Sequence, residues 1–356
     1  MHVLVTGGNG FLGRYIVEQL LARGDQVRSF GRSAQPGLKT QGVEVVRGDI
    51  RDKDDITEAC RGIDCVFHTA ALAGIGVRWD DFYETNCLGT KNVLTGCRIH
   101  AVDRLVYTSS PSVVFQGVDQ SGINESTSYG IDWLAKHRCH YSHSKAIAES
   151  MVLSASRSQS REQPLVTNSL DNSDWINACA LRPHLIWGPR DSHLIPRLIA
   201  RAKKGRLRRI GEGTNKVDMT YVANAASAHL RASDALAHGQ SPVAGKAYFL
   251  SQGVPVNCWD WIDKILGLAD LPPVKKSFSL KTAWRIGSLC EKTYRILRRG
   301  SEPPMTRFLA AQLATSHWFD ISAARRDFGY EPLIGTAEGM QRLGHWLEEE
   351  AAAERE

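Results

Sequence analysis

Tyr141 and Lys145 stand four residues apart, a spacing at which a phenol and an ammonium could share one proton. On a helix, positions i and i+4 lie on one face, so both groups would point the same way. A free phenol titrates near pH ~10, too high for easy exchange at neutral pH. A neighbouring cation favours phenolate and lowers that value. The pair alone arises often by chance, and two upstream features give it weight. Tyr107-Thr108-Ser109-Ser110 closes an apolar run and brings hydroxyls that can donate to a substrate oxygen. Thr6-Gly7-Gly8-Asn9-Gly10-Phe11-Leu12-Gly13 spaces three glycines between an apolar run and an amphipathic one. In such a loop Gly7 makes the turn, Gly10 lets the backbone approach a pyrophosphate, and Gly13 lets the helix pack on the sheet. Phe11 and Leu12 open that helix, whose N-terminus faces the phosphates.

These groups need a scaffold that brings them together, and the chain has its pattern. Apolar runs at His2–Thr6, Gln26–Phe30, Val43–Val46, Cys65–Thr69, Arg104–Thr108 and Asn177–Leu181 read as strands. Helical patterns at Gly10–Arg23, Asp54–Cys60, Thr85–His100 and Tyr141–Ser156 separate them. This alternation predicts an α/β fold, a doubly wound parallel sheet of Rossmann type. Gly245–Ser251 reads as one further strand, and helices dominate from Pro255 onward. The expected organisation is a core of residues 1–185 with 217–252, and a smaller, mainly helical substrate lobe of 186–216 with 253–347. Residues 348–356 are expected to fray. The polar run Arg157–Asn177 reads as a surface insertion, longer than most such links.

The glycine spacing, the Tyr107–Ser110 strand end and the Tyr141/Lys145 pair together resemble the extended short-chain dehydrogenase/reductase family. The resemblance implies that Lys145 also binds the nicotinamide ribose and that Ser110, rather than Ser109, donates to the substrate oxygen. It implies that Asn86 braces the site, that Asp49 and Ile50 meet adenine, and that Ala70 and Ala71 allow close approach to the cofactor. Leu181-Arg182-Pro183 would pack beside nicotinamide, and Tyr221-Val222-Ala223-Asn224 would tie the substrate lobe to the core. A carboxylate after the second strand would bind a ribose hydroxyl. Here that strand ends Phe30-Gly31-Arg32-Ser33, so Arg32 stands where a 2′-phosphate would lie, and NADP(H) is expected over NAD(H).

Within the family, Tyr107–Val114, Pro304-Met305-Thr306-Arg307-Phe308, Phe319-Asp320-Ile321 and Ala324–Pro332 resemble the 3β-hydroxysteroid dehydrogenase/isomerase branch. Leu181–Pro189 and Phe278–Gly287 resemble segments of that branch's bacterial reductases of 2-alkyl-3-oxoalkanoates. The activity this implies is reduction of a 3-keto group on a long-chain, lipid-like acid. Oxidation of a 3β-hydroxysteroid or sterol-4-carboxylate is the first alternative. Nucleotide-sugar epimerisation and a non-catalytic NADP-sensing or scaffold role are the others. The steroid-branch motifs speak against epimerisation, and the intact relay residues against a mere sensor. A keto acid brings a carboxylate that needs a partner once it leaves water. His184, Arg190 and His193 follow Pro183 at the carboxyl end of the strands and are the candidate partners, Arg190 first.

Composition narrows the rest. The chain has 356 residues, 42% apolar and 23% charged, which excludes wholesale disorder and fibrous repeats. Lys and Arg exceed Asp and Glu by 44 to 38, a net +6 too diffuse to suggest nucleic-acid binding. Eight cysteines form no CxxC pair, no HExxH is present, and no metal site is expected. No signal peptide and no stretch long enough to span a bilayer are legible, so a cytoplasmic enzyme is expected, at most peripheral to the inner membrane surface. Ser279–Arg299 reads as a helix with Lys281, Arg285, Lys292, Arg295 and Arg299 on one face and Ile286, Leu289, Cys290 and Leu297 on another. Such a helix is an ordinary cap, or it touches a membrane or an enzyme partner. The family resemblance also implies a homodimer through Thr85–His100 and Tyr141–Ser156.

Overall fold

Val3, Leu4 and Val5 point alternately to opposite sides of their strand, and that period of two builds both faces of the core. The computed structural model describes residues 1–74, 78–156, 176–237, 241–297 and 302–353. The elements that matter for the site are β1 (His2–Thr6), α1 (Phe11–Ala22), β2 (Gln26–Gly31), β3 (Glu44–Arg47), α2 (Lys53–Ala59), β4 (Cys65–His68), α3 (Gly89–Ile99), β5 (Arg104–Thr108), α4 (His140–Ser154), β6 (Asn177–Pro183), α5 (Val222–Leu236) and β7 (Ala247–Leu250). The strands form a parallel sheet in the order β3-β2-β1-β4-β5-β6-β7. Val3, Val5, Phe67, Val106 and Leu181 meet α1 and α5 on one face. Leu4, Val66, Leu105 and Ala180 meet α2, α3 and α4 on the other. A sheet covered on both sides needs near-continuous apolar strands, which is why these segments were legible. The strand order reverses between β1 and β4, and ligands of such sheets bind in the crevice at that point.

The second lobe gathers Trp187, Ile210, Trp259, Trp261, Ile265 and Leu343 into its own core. It is carried by α6 (Cys258–Leu268), α7 (Leu280–Ile296), α8 (Arg307–Ala314) and α9 (Thr336–Ala353). A small mixed sheet of Gln120–Ile123, His317–Phe319, Lys216–Val217 and Val256–Asn257 joins it to the core. Asn224 on α5 ties the two: Nδ2 donates to the Ile334 carbonyl at 2.8 Å and Oδ1 accepts from the Ile334 N–H at 3.1 Å.

Three expectations are corrected. The helix expected over 85–100 is two pieces, a wide π turn at Tyr83–Leu88 followed by α3. Residues 348–353, expected as a frayed tail, continue α9 as helix, just after Trp346 and Leu347 pack on the lobe. The insertion ends earlier than Asn177: Ile176 is buried and bridged to Ser156, and the Ser156 hydroxyl accepts from the Ala178 N–H at 3.1 Å. Its two ends thus lie side by side on the core, while 157–175 falls outside the described residues, as does Arg299. Among the described residues no helix is long and apolar enough to cross a membrane, and no cluster could hold a metal. The cysteines are free; all but Cys290 are buried.

Candidate active site

The glycine loop turns tightly as β1 passes into α1. Gly7 has φ +75° and donates to the Phe30 carbonyl at 2.8 Å, and the Gly10 N–H donates to the Gly7 carbonyl at 2.8 Å. A Cβ on Gly13 would lie 2.2 Å from that carbonyl oxygen, so only glycine lets α1 start this close to the turn. A Cβ on Gly7 would come within 3.1 Å of the Ala70 backbone, placing β4's exit against the loop. Gly10 is the N-cap, with no side-chain cap on α1 among the described residues. A helix N-terminus left open beside a glycine turn fits a pyrophosphate. The cradle therefore suits a dinucleotide, which Gly7, Gly10, Phe11, Leu12 and Gly13 would hold, with Ala70 and Ala71 alongside.

Tyr141 and Lys145 lie on the first two turns of α4, across from the end of β5. Lys145 Nζ donates to the Thr108 carbonyl at 2.5 Å and sits 4.0 Å from the centre of the Tyr107 ring. Burial pushes Lys145 down to about 7, with Glu149 opposing. Burial likewise pushes Tyr141 up to about 12, opposed by its hydrogen bond with Ser110. This corrects the expectation of a lowered phenol: Lys145 spends its ammonium on a carbonyl and is itself desolvated, so Tyr141 stays protonated at neutral pH. Ser110 Oγ also lies 2.9 Å from Ser112 Oγ. Ser109 is buried, its hydroxyl without a partner among the described residues.

Asn86 occupies the π turn and is 2% exposed. Its Oδ1 accepts from the Leu72 N–H at 2.8 Å, while Nδ2 donates to the Leu72 carbonyl at 3.0 Å and to Ser144 Oγ at 2.9 Å. The Ser144 hydroxyl donates in turn to the Tyr141 carbonyl at 2.9 Å. One amide thus fixes the segment after β4 against the helix that carries Tyr141. A π turn is a common device at functional sites.

Sequence reasoning missed the groups behind the relay. Glu149, one turn beyond Lys145, is fully buried and ion-paired with Arg182 of β6 at 2.5 Å. The Tyr129 hydroxyl donates to the same carboxylate at 2.8 Å. His68, at the end of β4, lies between the hydroxyls of Thr6 at 2.7 Å and Thr90 at 3.0 Å. Burial and the nearby Lys145 push it down to about 3, so it is neutral. The signal for Glu149 was its i+4 spacing from Lys145; Arg182 lay in a segment read only as a strand end.

At the adenosine end, Arg32 is exposed just past β2. Arg47 ends β3 opposite Gly31, and its Nε donates to the Arg32 carbonyl at 3.0 Å. Two guanidinium groups therefore stand where one was expected. Asp49 accepts from Arg51 at 2.7 Å, and Arg51 holds its carboxyl below the usual range. Ile50 is buried against Gly89.

The proposed carboxylate partners do not hold together. Arg190 makes a bidentate pair with Glu18 of α1 at 2.5 and 2.9 Å and lies 4.3 Å over the Tyr15 ring. Its guanidinium, expected to meet a substrate carboxylate, is instead engaged in clamping the lobe connection to the core. His184 is buried with both ring nitrogens engaged, by Asp218 at 2.6 Å and His317 at 3.1 Å. His193 is exposed and precedes a helix that Asp191 caps. Pro183 ends β6, paired with Leu250.

Known proteins resemble this chain in sequence and in fold. The model of the 3-beta hydroxysteroid dehydrogenase/isomerase family matches residues 4–280. A 2-alkyl-3-oxoalkanoate reductase of Stenotrophomonas maltophilia is 45% identical over 346 residues, 96% of this chain and 98% of that protein. The mouse sterol-4-alpha-carboxylate 3-dehydrogenase, decarboxylating, is 32% identical over 95% of this chain and 88% of its own. In fold, a dTDP-glucose 4,6-dehydratase double mutant from Streptomyces venezuelae with NAD bound superposes at a TM-score of 0.71 with 22% identity, over 99% of this chain and 98% of that one. With the family model spanning most of the chain and the relatives nearly all of it, the chain belongs to the 3-beta hydroxysteroid dehydrogenase/isomerase family, and is an NAD(P)-dependent oxidoreductase of short-chain dehydrogenase/reductase type.

Proposed function

We propose that this oxidoreductase uses NADPH to reduce the 3-keto group of a long-chain 2-alkyl-3-oxoalkanoate to the 3-hydroxy acid. The observation that carries the reading is the meeting of Tyr141, Lys145 and Ser110 at the carboxyl end of β5, beside the glycine cradle. Bound NADPH supplies the hydride that goes to the keto carbon. Ser110 and Tyr141 hold the keto oxygen, and Tyr141 gives it a proton as charge develops there. A phenol raised to about 12 begins as an acid, which suits the reductive direction. Lys145, near 7, replenishes that proton at neutral pH.

The substrate reading is supported by 45% identity along nearly the full length of a reductase of that name. The cofactor reading is supported by Arg32 and Arg47 at the ends of β2 and β3, where guanidinium groups would fork a 2′-phosphate. Oxidation of a sterol-4-carboxylate is the second reading, favoured by the 32% relative. The test is turnover by purified protein with NADPH or NADH against 2-alkyl-3-oxo acids, and with NADP+ or NAD+ against sterol-4-carboxylates and nucleotide sugars. NADPH-dependent reduction of the oxo acids is expected. Turnover confined to the sterols or sugars, or a preference for NADH, contradicts the reading.

A further inference from the structure

The hydrogen-bond donors around the relay are committed, with one exception. Asn86 spends both amide hydrogens, on the Leu72 carbonyl and on Ser144. Thr108 spends its hydroxyl proton on His229 Nε2 at 2.8 Å, because that ring is neutral and its Nδ1 donates to the Ala225 carbonyl at 2.7 Å. Ser110 accepts from the Ser112 N–H at 3.2 Å and must keep its own proton for the keto oxygen. In the 2.9 Å contact between the two hydroxyls Ser112 is therefore the donor, and among the described residues its hydroxyl has no other partner. The spacing of the pair is fixed by the 3-10 turn Pro111–Val114 that carries it. The Val113 carbonyl accepts from the Gly130 N–H at 2.9 Å and the Val114 carbonyl from Gln120 Nε2 at 2.8 Å. Val113 and Val114 are buried with Ala146, Phe249 and Phe319, while Ser110 and Ser112 are only half-buried. Ser110 also bonds Tyr141, so both hydroxyls border the relay.

We propose that Ser112 selects for the substrate's carboxylate: while Ser110 and Tyr141 hold the keto oxygen, Ser112 donates to a carboxylate oxygen of the same molecule. The match is one of spacing. In a 3-oxo acid the keto and carboxyl carbons are separated by a single carbon. When both groups turn to one side, their oxygens come together at about the length of a hydrogen bond. Two hydroxyls 2.9 Å apart then each take one oxygen of the pair. A hydrogen bond to a carboxylate is charge-assisted, so Ser112 gains by turning from Ser110 to the substrate. Because Ser112 is half-buried, the other carboxylate oxygen keeps its water, and the charge is never wholly desolvated. The inference rests on the oxo-acid reading and assigns to Ser112 the contact that Arg190, held by Glu18, does not make.

The experiment compares NADPH-dependent reduction of a 2-alkyl-3-oxo acid with that of the ketone of equal chain length lacking the carboxylate. Ser112→Ala should raise KM for the acid about tenfold or more, the loss of one charge-assisted hydrogen bond, with kcat and the ketone's KM changed less than about twofold. Ser112→Thr keeps the hydroxyl and should restore the preference for the acid. Ser110→Ala should slow both substrates, since both present a keto oxygen. Equal losses on acid and ketone in Ser112→Ala, or no loss on either, overturn the inference and leave the reductase reading standing. If wild type instead oxidises sterol-4-carboxylates, the reductase reading fails. The comparison then passes to a sterol with and without its 4-carboxylate, where the two oxygens bear the same relation. The same selective loss is expected there, and equal losses overturn the inference. A wild-type enzyme that prefers no carboxylate substrate overturns it as well.

Discussion

At the scale of single residues, what a side chain can do is set by what already holds it. Arg190 is the clearest case. In sequence it is a guanidinium close to the strand ends; in space it is consumed by Glu18, 172 residues away. Nothing local marks that partner, so sequence could supply the charge but not its occupancy. Tyr141 and Lys145 were legible because their relation is contained in one helical turn, yet the direction of the phenol's shift was not, since burial comes from the whole fold. Arg32 was legible as a missing carboxylate, while Arg47 became visible only once β3 lay beside β2. At the Arg32 position the expectation is specific. Arg32→Ala should weaken NADPH binding by about 1.5–3 kcal/mol, the range of a charged hydrogen bond, and leave NADH nearly unchanged. Fluorescence titration of both cofactors measures it; equal loss for the two would assign Arg32 a structural role instead.

At the scale of elements, the sheet strands were readable because burial on both faces makes each a continuous apolar run. The short strands of the second lobe were not, because two-residue pairings such as Lys216–Val217 with Val256–Asn257 exist only through distant partners. The π turn was equally hidden: Asn86 lies in a good helical pattern, and its three hydrogen bonds reach Leu72 and Ser144. Those bonds make a prediction. Asn86→Ala leaves the half-buried Leu72 N–H and carbonyl without their side-chain partner, at about 1 kcal/mol each. The variant should melt several degrees lower and lose kcat more than cofactor affinity, because the glycine cradle lies elsewhere. Calorimetry and steady-state kinetics separate these effects; a loss confined to the cofactor KM would contradict the bracing role.

At the scale of the molecule, the fold buries His68, His229 and His317 away from water in their neutral form. Burial pushes His68 and His317 down to about 3 and His229 down to about 4. The unfolded chain takes up their protons near pH ~6.5 while the native chain does not, so stability is full above that value and falls as pH drops. Each histidine should cost about 2 kcal/mol by about pH 5, and together they approach the whole stability of an ordinary domain. Urea unfolding should show a midpoint well below that at about pH 7.5; a midpoint that does not move contradicts neutral burial. The chemistry of the assembled molecule has its own decisive measurement, the rate of NADPH-dependent reduction of a 2-alkyl-3-oxo acid by wild type and by Tyr141→Phe at saturating cofactor. Tyr141→Phe keeps the ring and removes the proton, so turnover should fall about 10²-fold or more with NADPH affinity retained. Turnover near that of wild type would contradict the account at its centre.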